Sequence, residues 1–563
     1  MAPISDTWPN VKIALEFHSP EFVDRVASLV SWLLPHFSDV ESYATRLHPR
    51  NKKCRIVQDN FTWGQSFVVF EILFDGSQDE EEESWIIRFA MPPIGDSFNT
   101  PAQLERKIMN EAAALQLVNT RTTIPVPQII ASHPVAGHRQ PLEYQHSHGP
   151  HPLGPDFPAF VLMTAIRGVT IEDCGIAIHE LGHVDPDSDP LKGDEMKRPI
   201  LKQYLRDIAD IHVQLSRITF DKIGGFAMDG EGNVTVGPSA DFGLGPFETA
   251  KEYFSVQAEA YENLAELVSE EDVEKSSDDE RSAEHLKRRF VASLWRTTMM
   301  PLVDERDASG PFPMRHGDLH SENILVDKTG HIVGVLDWDC AATVPWEAFA
   351  VPTFEVSGHF GDAKNESTTH DLAAMASSLT ISGAAAQDVE QALAFDNETQ
   401  SVLGSNSDLD PRPGPSAQLS RRGHKRNRSR PQVHEEFNKA LTEVELESSA
   451  QLPKLSIASI SPDLFGEPPQ PPPSGRSLAA LHDSDAGYVG AYLAYWMYSL
   501  ACDYEETGRV LHRMLVTRGL QNQISKESGV HRGKLADWEL EGDMEEAFRK
   551  FVSQVREEPS VVA

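Results

Sequence analysis

The chain has 563 residues, 40% of them hydrophobic and 24% charged, with a formal net charge of -36. That length exceeds what one hydrophobic core usually serves, so two lobes plus extra segments are expected. The composition is that of an ordinary soluble globular protein, while the acidic excess argues against a surface that binds nucleic acid or anionic membrane. Much of the acid lies in local runs, Asp79 to Ser84 and Ser269 to Glu280, which read as solvated loops or helix ends.

The cysteines Cys54, Cys174, Cys340 and Cys502 are far apart and form no CxxC pair. A disulfide framework or structural zinc site is therefore not expected, and a reducing compartment is. The N-terminal MAPISDTWPN lacks the basic start and apolar stretch of a secretory signal. A cytoplasmic location follows, with the basic run Arg421 to Arg430 as a nuclear-import alternative to a solubilising linker. Gly487 to Cys502 is too short and interrupted to span a bilayer and reads as a buried helix.

Residues 1–50 read as a helical extension: Ser19 and Pro20 open a helix, and Phe22, Val26, Leu29, Val30 and Leu33 recur at helical spacing. Residues 51–166 read as a small strand-rich lobe. Its strands are SFVVFEILF, SWIIRFA, TTIPVPQII and FPAFVLMTAI, with a helix opened by Thr100 and Pro101. Between the last two strands, QHSHGPH (Gln145 to His151) clusters histidines without an acid or cysteine to complete a metal site, so it reads as loop. Residues 167–360 are mainly helical, the clearest helix being Leu201 to Ile218. Ser, Pro, Asn, Asp and Gly dominate 361–476, which reads as a disordered insertion able to dock a protein partner. Closing helices over 477–525 and an acidic tail over 526–563 complete an α+β, bilobal plan.

Phosphoryl transfer from a nucleoside triphosphate needs a cation near the phosphates, hard oxygen ligands for a metal, a carboxylate near the attacking hydroxyl and a dry cleft. HGDLHSEN places Asp318 and Asn323 five apart, the spacing of base and metal-binding amide in a kinase catalytic loop. Alone, that pattern reads equally as a polar turn. The strands ENILVD and HIVGVLDWD, joined by Lys328 to Gly330, read as a hairpin that would bring Asp337 to Asn323 at its open end. An acid after four apolar residues wants a metal or hydrogen-bond donors, and Asp339 reads as auxiliary. On the helix after Pro101, Leu104, Ile108, Glu111, Leu115 and Val118 share a face, so Glu111 calls for a cation. Arg88 of WIIRF, alternating away from Ile87 and Phe89, can supply it; a solvated Arg88 is the alternative. DNFTWGQSF, with Gly64, Gln65 and Ser66 at its turn, reads as a phosphate cover or an ordinary hairpin.

HGDLHSENILVD followed by GVLDWD resembles the aminoglycoside phosphotransferase or choline kinase-like group, which shares the protein kinase-like fold. The order of parts is similar too, from the Gly64 turn through Arg88, Glu111, TTIPVPQII and FVLMTAIRG, over roughly Cys54 to Pro352 plus the closing helices. The resemblance implies a small antiparallel β-sheet lobe beside a larger mainly helical lobe, with ATP and Mg2+ as cofactors. It implies Asp318 as catalytic base, Asn323 and Asp337 as magnesium ligands, and Arg88, paired with Glu111, as the phosphate-contacting cation. Gly64, Gln65 and Ser66 would cover the phosphates, and backbone from Thr164 to Ile166 would meet the adenine. His316 would brace the loop. The strand cation departs from the pattern: Arg88 stands where the group usually has lysine, and its planar head is wider. The expected activity is transfer of the ATP γ-phosphoryl group to a hydroxyl of a small molecule. Two alternatives are a nucleotide-binding scaffold, favoured by Arg88 and the insertion, and a protein kinase, disfavoured because no A-P-E element follows LDWD.

Overall fold

The computed structural model describes residues 4–8, 11, 20–75, 83–93, 99–134, 151–178, 196–263, 296, 299–353, 432–451, 473–484 and 487, apart from short gaps at 155 and 241–242. The basic run Arg421 to Arg430, the acidic run Ser269 to Glu280, the expected Gly487 to Cys502 helix beyond Gly487 and the acidic tail lie outside the described residues.

The small lobe is a sheet covered on both faces. Helices α1 (Pro20–Leu33) and α2 (Phe37–Leu47) precede β1 (Cys54–Ile56), β2 (Thr62–Trp63), β3 (Phe67–Phe74) and β4 (Ser84–Ala90). Helix α3 (Pro101–Arg121), β5 (Ile129–His133) and β6 (Phe160–Thr164) complete it. The strands run antiparallel in the order β1-β3-β4-β6-β5, with β2 on β3. FVVFEILF shows no polar alternation because neither of its faces meets water. Phe70, Ile72, Ile87, Phe89 and Leu162 bury against Val26, Leu33, Phe37 and Val40 of the N-terminal helices. On the other face Val161 and Met163 meet Leu104 and Ile108 of α3. Glu71, the one acid within β3, is fully buried and accepts the backbone N–H groups of Ile4 and Ser5 at 3.0 and 2.8 Å.

Helix α3 begins where expected, with Thr100 and Gln103 forming a reciprocal capping box and Pro101 in the first turn. The strand expected over TTIPVPQII starts later, at Ile129. Pro125 and Pro127 have no N–H to give a ladder, so pairing begins only beyond them.

The large lobe contains α4 (Lys197–Leu215), β7 (Thr219–Phe220), β8 (Gly224–Met228), β9 (Val234–Gly237) and α5 (Ala250–Asn263). It continues through β10 (Phe312–Arg315), β11 (Ile324–Val326), β12 (Ile332–Val335), β13 (Ala342–Thr343) and α6 (Trp346–Phe349). Five short strands form a second sheet, β7-β10-β13-β8-β9, and β11-β12 is a separate hairpin. The core gathers Tyr204, Ile208, Phe254, Phe312, Trp338 and Trp346.

The insertion expected to be disordered over 361–476 contains a docked helix, α7 (Gln432–Gln451), followed by α8 (Leu478–His482). Val433, Phe437, Leu441 and Val444 recur at helical spacing and are buried in the large-lobe core. Arg206 of α4 holds Glu447 of α7 at 2.6 Å, and Glu445 accepts the first backbone N–H groups of α8. Arg476 reaches Asp307 at 2.9 Å and Glu347 at 3.8 Å, placing one cation between two fully buried acids. Burial of this apolar stripe overrides the polar composition of the surrounding segment.

His212 of α4 stacks on Phe349 with ring centroids 4.1 Å apart. Burial first, and the Arg315 charge second, lower its pKa from 6.5 to about 3. Below pH 6.5 the unfolded chain takes up this proton and the folded chain does not, so stability present at pH 7 is lost as pH falls. At pH 5 this one residue should cost about 2 kcal/mol. Denaturant titrations at pH 7 and 5 should show a smaller acid-induced loss for His212→Phe than for the unsubstituted chain.

No helix among the described residues is long and apolar enough to cross a membrane.

Candidate active site

Strand β10 delivers the loop that carries the polar cluster. Gly317 has φ +93°, and a Cβ there would lie 2.1 Å from the Cys340 carbonyl oxygen. Both the conformation and the close approach require glycine. The loop is thereby laid against the turn containing Asp337 and Asp339. His316 braces it, as expected: its Nδ1 accepts the Asp318 N–H at 3.3 Å, so its Nε2 bears the proton and donates to the Leu336 carbonyl at 2.9 Å. Burial keeps the ring neutral by lowering its pKa to about 4.

The Asp318 carboxylate is 27% exposed. Burial would raise its pKa, but His320, His316 and Lys107 around it hold it below the usual carboxylate range. Asn323 Nδ2 donates to the Asp318 carbonyl at 2.9 Å and contacts His320 Nε2 at 3.0 Å. Since the Asp318 carbonyl can only accept, the amide nitrogen must face it and the Asn323 oxygen is turned the other way. The hairpin pairs Ile324 with Val335, and Leu336 N donates to the Asn323 carbonyl. Asn323 and Asp337 therefore flank one end of the hairpin, as the sequence pattern required.

Arg88 comes in from the small lobe. In the middle of β4, between Val69 and Val161, it projects toward α3. Its Nη1 lies 2.9 Å from Glu111 Oε1 and 3.3 Å from Asp337 Oδ1, while its guanidinium covers the Phe67 ring at 4.4 Å. Burial, reinforced by the Asp337 and Asp339 charges, raises the Glu111 carboxyl against the pull of Arg88. Burial and Asp339 likewise raise Asp337. Glu111 Oε2 and Asp337 Oδ1 are buried acceptors without a hydrogen-bond donor among the described residues. Asp337 is also held at φ 62°, a left-handed conformation uncommon outside glycine that aims its carboxylate at the Arg88–Glu111 pair. Its side chain is still 41% exposed, so the enclosed Oδ1 belongs to a group that solvent reaches.

Other expected residues are arranged with more variety. Thr62 and Trp63 pair with Val69 and Val68, making Gly64, Gln65 and Ser66 the turn of a hairpin. Space around Gly64 is open, so nothing steric requires glycine there. The Ser66 carbonyl faces inward, accepting Met91 N–H and Asn99 Nδ2. The Thr164 N–H is bound to the Gln128 carbonyl and so is occupied within the sheet; Ile166 follows just beyond β6. His151 of the histidine-rich loop sits against His133 and Phe157, in an aromatic cluster rather than at the cleft.

Two residues escaped sequence reasoning. Lys107, one turn before Glu111, is buried with Nζ 3.6 Å from Asp339 Oδ2. Asn110 is nearly inaccessible and ties α3 to the large lobe. Its Nδ2 donates to the Asp339 and Ala341 carbonyls, each at 2.9 Å, and its Oδ1 accepts the Phe226 N–H. Both lie on the inward side of α3, so the helical stripe already read for Glu111 contained the signal for Lys107.

Asp337 and the Asn323 amide could offer oxygen ligands to a hard divalent ion, and Asp337 Oδ1 is a buried oxygen without a hydrogen-bond donor among the described residues. Among the described residues no three His, Cys, Asp or Glu side chains form a metal cage by themselves.

A two-lobed α+β protein with a kinase-type loop, a strand cation paired to a helix acid, and a metal-suited turn belongs to the protein kinase-like class. The model of the phosphotransferase enzyme family (APH) matches residues 60–346, and the chain belongs to that family. Matching solved structures include the macrolide 2'-phosphotransferase MphH from Brachybacterium faecium, at 14% identity and TM-score 0.29, covering 61% of this chain and 82% of that one. A type I macrolide 2'-phosphotransferase matches at 11% identity and TM-score 0.27, covering 56% and 75% of the respective chains. No curated protein matches the chain.

Proposed function

We propose that the chain transfers the γ-phosphoryl group of ATP, with magnesium, to a hydroxyl of a small molecule. The observation that carries this reading is that the Asp318 loop is tied to the Asp337 turn, whose carboxylate contacts Arg88 of the small-lobe Arg88–Glu111 pair. Asp318, ionised at neutral pH, accepts the acceptor's hydroxyl proton as the acceptor oxygen bonds to the γ-phosphorus and the β–γ bridging oxygen leaves with ADP. Asn323 and Asp337 hold the metal. The ion, when bound, neutralises charge on the phosphates. Arg88, fixed by Glu111, orients the phosphates from the small-lobe side, and the Gly64–Ser66 turn covers them. Ile166 and the carbonyl of Thr164 meet the adenine edge.

Incubating the protein with γ-labelled ATP, magnesium and a panel of hydroxylated metabolites tests the reading. Magnesium-dependent label in a small molecule supports it. ATP binding without transfer to any acceptor would favour a scaffold, and label in polypeptide would favour a protein kinase.

A further inference from the structure

Arg88 is poorly placed to follow a moving phosphoryl group. One of its nitrogens serves both Glu111 and Asp337, and the Phe67 ring covers its face. Displacing it would break the link between β4, α3 and the Asp337 turn. Its planar head is fixed where it stands.

Lys107 is the second cation at this turn. It extends from the same face of α3 as Glu111 and is 8% exposed, an unusual burial for lysine. Its 3.6 Å contact with Asp339 is an ion pair longer than an ordinary hydrogen bond. Asp339 does not depend on it alone, since Cys340 Sγ donates to Asp339 Oδ1 at 2.7 Å and Asn110 holds the Asp339 carbonyl. Asp339, which Lys107 contacts, lies two residues beyond Asp337, so the ammonium sits at the turn that carries the metal-suited acid. A lysine stem has four rotatable carbons and a point-charge head, so a short swing can exchange one oxygen partner for another.

Charge balance gives this cation a task. Glu111, Asp318, Asp337 and Asp339 bring four carboxyl groups around the cations Arg88 and Lys107, with His316 and His320 beside Asp318. A triphosphate entering such a cleft meets a net negative field that one divalent ion offsets only in part.

We infer that Lys107 is the cation that contacts the terminal phosphate of bound nucleotide, exchanging Asp339 for it, while Arg88 remains a fixed tie serving the inner phosphates. The inference rests on the phosphotransferase reading and assigns one phosphate of its nucleotide.

Calorimetric titration of the full chain with ADP and with a non-hydrolysable ATP analogue, both with magnesium, tests it without requiring turnover. Lys107→Met should lose about tenfold or more in affinity for the triphosphate, the scale of a charge-assisted hydrogen bond, and leave ADP affinity unchanged. Lys107→Arg should keep much of the triphosphate preference; if the methionine variant does not fold, Lys107→Gln takes its place. A loss that is equal for both nucleotides, or no loss, overturns the assignment while leaving the phosphotransferase reading intact. Failure of the unsubstituted chain to bind either nucleotide overturns both.

Discussion

Replacing Asp318 by asparagine is expected to reduce phosphoryl transfer by about 10²- to 10⁴-fold, the usual contribution of a positioned general base, while nucleotide affinity changes little. The substitution is close to isosteric, and it leaves the backbone N–H of residue 318 on His316 Nδ1 and its carbonyl on Asn323 Nδ2. The loop's scaffold therefore survives. What is lost is an anionic oxygen whose pKa His320, His316 and Lys107 keep low enough for it to be charged throughout the neutral range. Single-turnover transfer with labelled ATP, measured beside equilibrium nucleotide binding, separates the two effects. Full activity in Asp318→Asn would remove Asp318 from the mechanism and shift attention to Asp339. A parallel collapse of binding and transfer would point to a structural role.

Asn110→Leu should destabilise the fold by about 3–5 kcal/mol, because it orphans three buried backbone groups at once, each worth about 1–3 kcal/mol. The Asp339 and Ala341 carbonyls lose their donor and the Phe226 N–H loses its acceptor. Leucine has nearly the right volume, so the loss reflects polar satisfaction more than a cavity. Helix α3 carries Glu111 and Lys107 toward the Asp337 turn, so activity should fall further than the loss of folded protein explains. Urea midpoints together with transfer rates corrected for folded fraction provide the check. Asn110→Asp should be no better, since it sets a carboxylate oxygen against two carbonyls. If Asn110→Leu melts like the unsubstituted chain, α3 is held by its apolar face alone.

Sequence reasoning reached those parts of the site whose signal is local or periodic. The Ile324–Val335 hairpin was legible from two apolar runs around Lys328–Gly330, and it fixed the neighbourhood of Asn323 and Asp337. Glu111 stood out as an acid in an apolar stripe, and Arg88 as its partner by strand alternation. Lys107 belongs to the same stripe but reads as a surface residue, because lysine is so seldom buried. Asn110 was beyond reach. Its partners lie more than a hundred residues away, and an asparagine within a helix gives no sign of which carbonyls it will meet. The left-handed backbone of Asp337 has no compositional signature either. Helix α7 was hidden for a different reason: its Val433, Phe437, Leu441 and Val444 spacing is regular, but the polar character of the surrounding segment dominated the reading.

The docking of α7 and α8 has a consequence for how this chain can vary. Both ends of the stretch 354–431 are anchored independently, Trp346 and Phe349 on one side and Val433 and Phe437 on the other, within a single core. Any variant of the chain must keep α7. A chain cut before Gln432 would uncover the apolar face of α4 that α7 packs against, and the large lobe should no longer hold together.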